Sequence, residues 1–163
     1  MMQAPIDTQS LFERAAVAMG VPFSPAARFA AGAVRHLIAR RDTDVLEHAL
    51  RRPEDILAIV READLAIETA STTGKPWEGS SQAPELFKSM LEALPCASTV
   101  AISGDHVIAR IELDAASGHS RPRHIRVPDG LVSKLQKLSV VGMPDAKMPP
   151  GQIETGASLM QLD

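Results

Sequence analysis

The sequence predicts an α+β fold, with an N-terminal helical half of four to five helices, a small antiparallel β-meander and an extended C-terminal arm. Three observations predict it. Apolar residues recur at helical spacing as far as Leu94, they alternate with polar residues after Pro95, and proline, glycine and small residues dominate from residue 142 onwards. We therefore divide the chain into a single α+β domain, residues 1–141, and a C-terminal arm, residues 142–163, that is extended or disordered.

Five segments of the first half carry helix signals. Each begins at a proline or at a side chain that can cap a helix, and each carries apolar residues on one face. The fourth segment, PEDILAIVREADLAIETA, has two acids in its first turn, where the helix dipole favours them. The stretch after it, STTGKPWEGSSQ, is predicted to be a loop because glycine, proline and hydroxyl residues dominate it. The predicted helices cover residues 7–18, 25–40, 42–50, 53–70 and 84–94.

The β-meander is predicted from three short runs. STVAIS and HVIARIEL alternate in polarity and are joined by Gly104-Asp105, a two-residue hairpin signal. RHIRV, residues 123–127, is the expected third strand, and a short helix over residues 131–138 is expected to follow it. In the second run, one face is expected to be apolar and to carry Val107, Ala109, Ile111 and Leu113.

Composition limits the function classes. The net charge of −3 and an aromatic content of 3% argue against nucleic-acid binding. No apolar run approaches the roughly 20 residues that a membrane span needs, so we expect no membrane interaction. Cys96 is the only cysteine, which excludes an intramolecular disulfide, and a cytoplasmic protein is the expectation.

No motif of catalysis or cofactor binding is present. Gly74-Lys75 lacks the spacing of a phosphate-binding loop, and the histidines and the lone Cys96 form no zinc pattern. We therefore expect no metal and no cofactor, and a non-enzymatic protein is favoured. Cys96 is interpreted as a structural thiol rather than a nucleophile. Asp64 and Glu68, one helical turn apart, are interpreted as a solvated helix face rather than an acid–base pair.

The densest charge cluster is HSRPRHIR, residues 119–126. One interpretation is that its strand residues form the polar, solvated face of an antiparallel sheet. The alternative is a site for an anionic metabolite, because guanidinium groups suit carboxylate and phosphate. The candidate ligand-binding residues are Arg110, His119, Arg121, His124 and Arg126.

A second set of candidates points to a protein partner or to self-association. Trp77 lies in the predicted loop, where a tryptophan either anchors a partner or folds back over the core. Apolar residues near the end of the arm are candidates for docking on another surface. These are Leu159, Met160 and Leu162. The sequence thus favours a binding or interaction module, with a small-molecule site or an enzyme based on the Arg/His cluster as the alternative.

Two stretches carry a family resemblance. They are LFERAAVAMGVPFSPAARFAAGAVRHLIAR, in which Gly-Val-Pro separates two helices, and the C-terminal SVVGMPDAKMPPGQIETGASLMQLD. Together they resemble an uncharacterised bacterial family of small proteins, a domain of unknown function. The resemblance assigns no activity and gives no residue a role.

Overall fold

The structure, a computed structural model, describes residues 1–141. These residues form six helices and five strands, so the predicted α+β class is confirmed. The helices are α1 Pro5–Ala18, α2 Phe23–Ile38, α3 Asp44–Ala49, α4 Pro53–Thr73, α5 Pro84–Glu92 and α6 Asp129–Val141. The strands are β1 Met2–Gln3, β2 Trp77–Ser80, β3 Cys96–Ser103, β4 His106–Ala116 and β5 Ile125–Arg126.

Local sequence accounts for where three of the helices begin and where one of them ends. Proline stands at the start of α1, α4 and α5, where its missing N–H removes no helical hydrogen bond. Gly74 ends α4 in the left-handed conformation, with φ 67°, so the helix runs three residues past its predicted end. The final helix likewise continues to Val141, beyond the predicted 131–138.

The three-stranded sheet has the order β2-β4-β3, and all its pairs are antiparallel. The β3–β4 hairpin turns at Gly104, with φ 63°, as the Gly-Asp pair predicts. β2 forms within the segment that was predicted to be a loop, because Trp77–Ser80 pairs with the free side of β4. Val107 and Ala109 of β4 are buried, as the alternation predicts, whereas Leu113 is exposed.

The third strand lies apart from the hairpin, which corrects the predicted meander. β5 pairs with β1 in a separate two-stranded ribbon, where Arg126 lies opposite Met2 and Ile125 opposite Gln3. Ile125 and Val127 are buried and Arg126 is exposed, so the predicted alternation of this strand is correct although its partner is not.

α2 is the central helix and packs against α1, α4 and α5. Its contact with α5 is close, because a Cβ added at Gly32 would lie 2.3 Å from the Met90 sulfur. The inner face of the sheet packs on α4 and α5. The core is aliphatic, with Phe12 and Phe29 in edge-to-face contact at 6.0 Å. No helix within residues 1–141 is long and apolar enough to cross a membrane.

Candidate functional site

The structure divides the predicted Arg/His cluster. His119 and Arg121 line one groove together. Arg110 lies on the open face of the three-stranded sheet, opposite Thr99, and His124 and Arg126 are exposed beside the two-stranded ribbon. Because Arg110 and Arg126 belong to different sheets, the five residues do not form one site.

The groove that holds His119 and Arg121 lies between α1, α2, the end of α5 and residues 117–121, and its volume is about 420 Å³. We call it the Arg35 groove, after the α2 arginine that lines it. Its lining also includes four large apolar side chains and one acid. These residues are Ile6, Val34, Ile38, Leu94 and Glu92.

Arg35 is fixed by three contacts. Its Nη1 donates to the Ser120 carbonyl at 3.1 Å and its Nη2 lies 3.1 Å from His119 Nδ1. Because a guanidinium only donates, His119 Nδ1 must accept, and the imidazole proton lies on Nε2. The Arg35 Nε is buried without a hydrogen-bond partner in the described chain, 3.6 Å from the Glu92 carboxylate.

Glu92 is neutralised chiefly by Arg41 rather than by Arg35. Arg41 donates to both carboxylate oxygens, at 2.7 and 2.8 Å, and the Glu92 side chain is 8% exposed. Burial alone raises the pKa of Glu92, but the hydrogen bonds and charge of Arg41, helped by the charge of Arg35, hold it below the ordinary value. The Arg35 groove therefore keeps an excess of positive charge from Arg35 and Arg121.

His36 supports this arrangement from the core. Its Nε2 lies 2.7 Å from the Asp42 carbonyl and its Nδ1 lies 2.8 Å from the Ser89 hydroxyl, which also accepts from Arg41 at 2.7 Å. The carbonyl can only accept, so Nε2 carries the proton. The single Ser89 hydroxyl proton is shared between His36 Nδ1 and the Glu85 carbonyl, which lies 3.0 Å from the hydroxyl oxygen. Burial lowers the pKa of His36, which keeps the ring neutral.

A second groove, of about 1120 Å³, lies between α3, α4, β2 and the start of α5. Its lining includes Glu62, whose Oε2 is buried and has no hydrogen-bond partner among residues 1–141. Burial raises the pKa of Glu62, and the Ser81 hydroxyl offsets part of that effect. On another part of the lining, Asp55 lies 3.6 Å from His48 and 3.7 Å from Arg52.

Of the residues predicted to bind a protein partner, the structure describes Trp77. Trp77 is half-buried at the start of β2, where its ring packs on Phe87 with ring centres 5.4 Å apart. A Cβ at Gly79 would lie 2.6 Å from the Trp77 ring, so the indole also covers the neighbouring backbone. Leu159, Met160 and Leu162 lie outside the described residues.

The residues that the helices contribute to the Arg35 groove are not among those predicted from the sequence. Arg35 and Glu92 are far apart in the sequence, and only the packing of α2 on α5 brings them within 3.6 Å. One signal was available, because Glu92 interrupts an apolar stretch, LEALP, in which a charge needs a partner if it is buried.

Within the described residues, no three His, Cys, Asp or Glu side chains are grouped so that they could hold a metal ion. The sequence matches no protein-family model, no curated protein and no solved structure.

Proposed function

We propose that the protein binds a small anionic molecule with a short apolar body in the Arg35 groove. The observation that carries the proposal is that Arg35 and Arg121 line the same groove. The one acid in its lining, Glu92, accepts hydrogen bonds from Arg41 at both of its oxygens. Arg35 reaches Glu92 only at 3.6 Å and makes no hydrogen bond to it, so its guanidinium can still donate to a carboxylate or phosphate ligand.

The shape and the lining of the groove support this ligand class. A volume of about 420 Å³ suits a small molecule, and ligand sites combine apolar walls with few polar groups. Arg35 is held in place by Ser120 and His119, so binding does not have to order it. Val34, Ile38 and Leu94 would contact the apolar body, and His119 Nε2–H adds a donor.

The test is a titration with acetate, hexanoate and inorganic phosphate, in which binding is measured by the rise in melting temperature and by calorimetry. We expect hexanoate to bind at least tenfold more tightly than acetate, because each buried CH₂ contributes about 0.8 kcal/mol. Inorganic phosphate has no apolar part. Phosphate binding as tight as that of hexanoate would therefore indicate a site for a compact anion, whereas weaker phosphate binding would show that contact with the apolar wall is needed. If none of the three probes raises the melting temperature, the proposal is wrong.

A matched pair of variants tests the location of the site. Arg121→Ala is expected to weaken hexanoate binding about fivefold to tenfold, through the loss of one partly solvated charge-assisted contact. Arg123→Ala is the control, because Arg123 is also exposed but does not line the groove. Equal losses in both variants would place the anion elsewhere.

A role in binding another protein and a cytoplasmic location are separate proposals. Binding to another protein is supported by the open β3 edge of the three-stranded sheet. The cytoplasmic location rests on composition and on the single cysteine.

A further inference from the structure

One edge of the three-stranded sheet is open. β3 pairs with β4 on one side, and within residues 1–141 no strand pairs with its other side. The eight residues of β3, CASTVAIS, include no charge and no proline. The pairing with β4 is regular from Ala97 to Ser103, since its one irregularity lies between Cys96 and Ala97.

The opposite edge of the same sheet, formed by β2, differs in length and in charge. β2 has four residues, contains Glu78 and follows Lys75 and Pro76. Short length, charge and proline are the features that keep edge strands from pairing with other chains. β3 is twice as long and carries no charge. Pro95 precedes it as Pro76 precedes β2, but the residues from Ala97 to Ser103 present an uninterrupted row of backbone donors and acceptors.

We propose that β3 pairs antiparallel with β3 of a second copy of this chain, so that two sheets join into one of six strands. A second copy of the chain offers a matching partner, because its β3 is an open, uncharged strand of the same length. Two copies of one edge satisfy each other in an isologous interface, and no like charges meet at the junction.

Side chains on both faces of β3 fit this arrangement. Thr99 and Ala101 are exposed and small on the outer face, so a neighbouring strand can approach. Val100 and Ile102 are only half-buried on the inner face, beside α5. Pairing with a second copy would bury these two side chains further. That burial of apolar surface would stabilise the dimer in addition to the backbone hydrogen bonds.

Symmetry limits the register. A two-fold axis between antiparallel strands of one continuous sheet is perpendicular to the sheet, so each outer-face residue lies opposite an outer-face residue. The register centred on Val100 pairs all residues from Ala97 to Ser103. It places Thr99 of one copy opposite Ala101 of the second copy.

The first experiment measures the mass of the full chain in solution by sedimentation equilibrium over a range of concentrations. We expect a reversible dimer with twice the 17.4 kDa mass of the monomer. Thr99→Lys is expected to weaken the dimer at least tenfold without lowering the melting temperature of the monomer, because Thr99 is exposed and the two lysines lie near each other. Thr72→Lys, on the exposed end of α4, is the control and should remain dimeric.

The second experiment tests the register by cross-linking in a Cys96→Ser background. A mixture of Thr99→Cys and Ala101→Cys chains is expected to form a disulfide-linked dimer, and neither chain alone should do so as efficiently. A monomeric full chain at all concentrations overturns the proposal, whether residues 142–163 cover the edge or not. A dimer that Thr99→Lys leaves intact also overturns it. Neither result bears on the Arg35 groove, whose ligand is tested with other variants.

Discussion

Glu92 and Glu62 are two partly buried carboxylates, one in each groove, and the protein treats them in opposite ways. Glu92 receives two hydrogen bonds from Arg41, and its pKa lies below the ordinary value. Glu62 has a buried oxygen with no partner in the described part of the chain, and its pKa lies above the ordinary value. Burial raises both pKa values, so the difference comes from the neighbours of each carboxylate, chiefly the Arg41 guanidinium beside Glu92.

The two grooves therefore differ in how well the polar groups of their lining are satisfied. Glu92, which lines the Arg35 groove, belongs to a hydrogen-bonded network in which Arg41, Ser89 and His36 fix one another and the carboxylate. Such networks are rigid and can hold Arg35 in a constant position for a ligand. The lining around Glu62 leaves a carboxyl unsatisfied, which lowers stability rather than adding to it.

Removing the partner of Glu92 should have the largest effect. We expect Arg41→Met to lower the free energy of unfolding by about 3–5 kcal/mol, because it leaves a buried carboxylate uncompensated. Urea denaturation at neutral pH measures the loss. The control is Arg61→Met on the exposed face of α4, which should change stability by at most about 0.5 kcal/mol. A loss below about 1 kcal/mol for Arg41→Met would mean that water can replace the guanidinium.

The sequence predicts the parts of this molecule that local chemistry determines. The proline starts of α4 and α5, the Gly104 turn and the alternation in β4 all follow from residues within a few positions of each other. β2 and the β1–β5 ribbon were missed because each forms only through a distant partner. Four residues around Trp77 become a strand because β4 offers them a free side.

The site is less predictable than the fold for the same reason. HSRPRHIR is a cluster in sequence, yet only His119 and Arg121 reach the groove, because residues 125–126 leave the loop to pair with β1. The residues that complete the groove come from α2 and α5. Nothing local distinguishes Arg35 from the exposed arginines of the chain, and its role depends on helix packing.

Acidification should weaken the Glu92 network next, through His36. Its folded-state pKa is below the unfolded value of 6.5, so the unfolded chain binds the proton first. Stability is then complete above about pH 6.5 and falls as the pH drops towards the folded-state pKa, by up to about 1.4 kcal/mol per pH unit. The Arg41 charge adds to this effect, whereas the Glu85 carboxylate opposes it.

Urea denaturation between about pH 7.5 and pH 5.5 measures this slope. The variant His36→Gln removes the titrating group, and it should lose most of the pH dependence in this interval even if it is less stable throughout. His48→Gln is the control, because His48 is exposed and should leave the slope as it is. Equal stability of the parent protein at both ends of the interval would show that His36 titrates alike in the folded and unfolded chains.

Glu62 should give the smallest effect and the opposite sign. Its folded-state pKa is above 4.5, so the folded chain binds the proton more tightly, and stability falls as the pH rises from 4.5 through the folded-state pKa. Glu62→Gln removes the charge and should raise the free energy of unfolding at neutral pH by about 0.5–1 kcal/mol. Glu68→Gln, exposed on the same helix, should change nothing, and Glu92→Gln should destabilise the protein. If Glu62→Gln were destabilising at neutral pH, the ionised carboxylate would have a partner after all, and the contrast between the two glutamates would reduce to one of exposure.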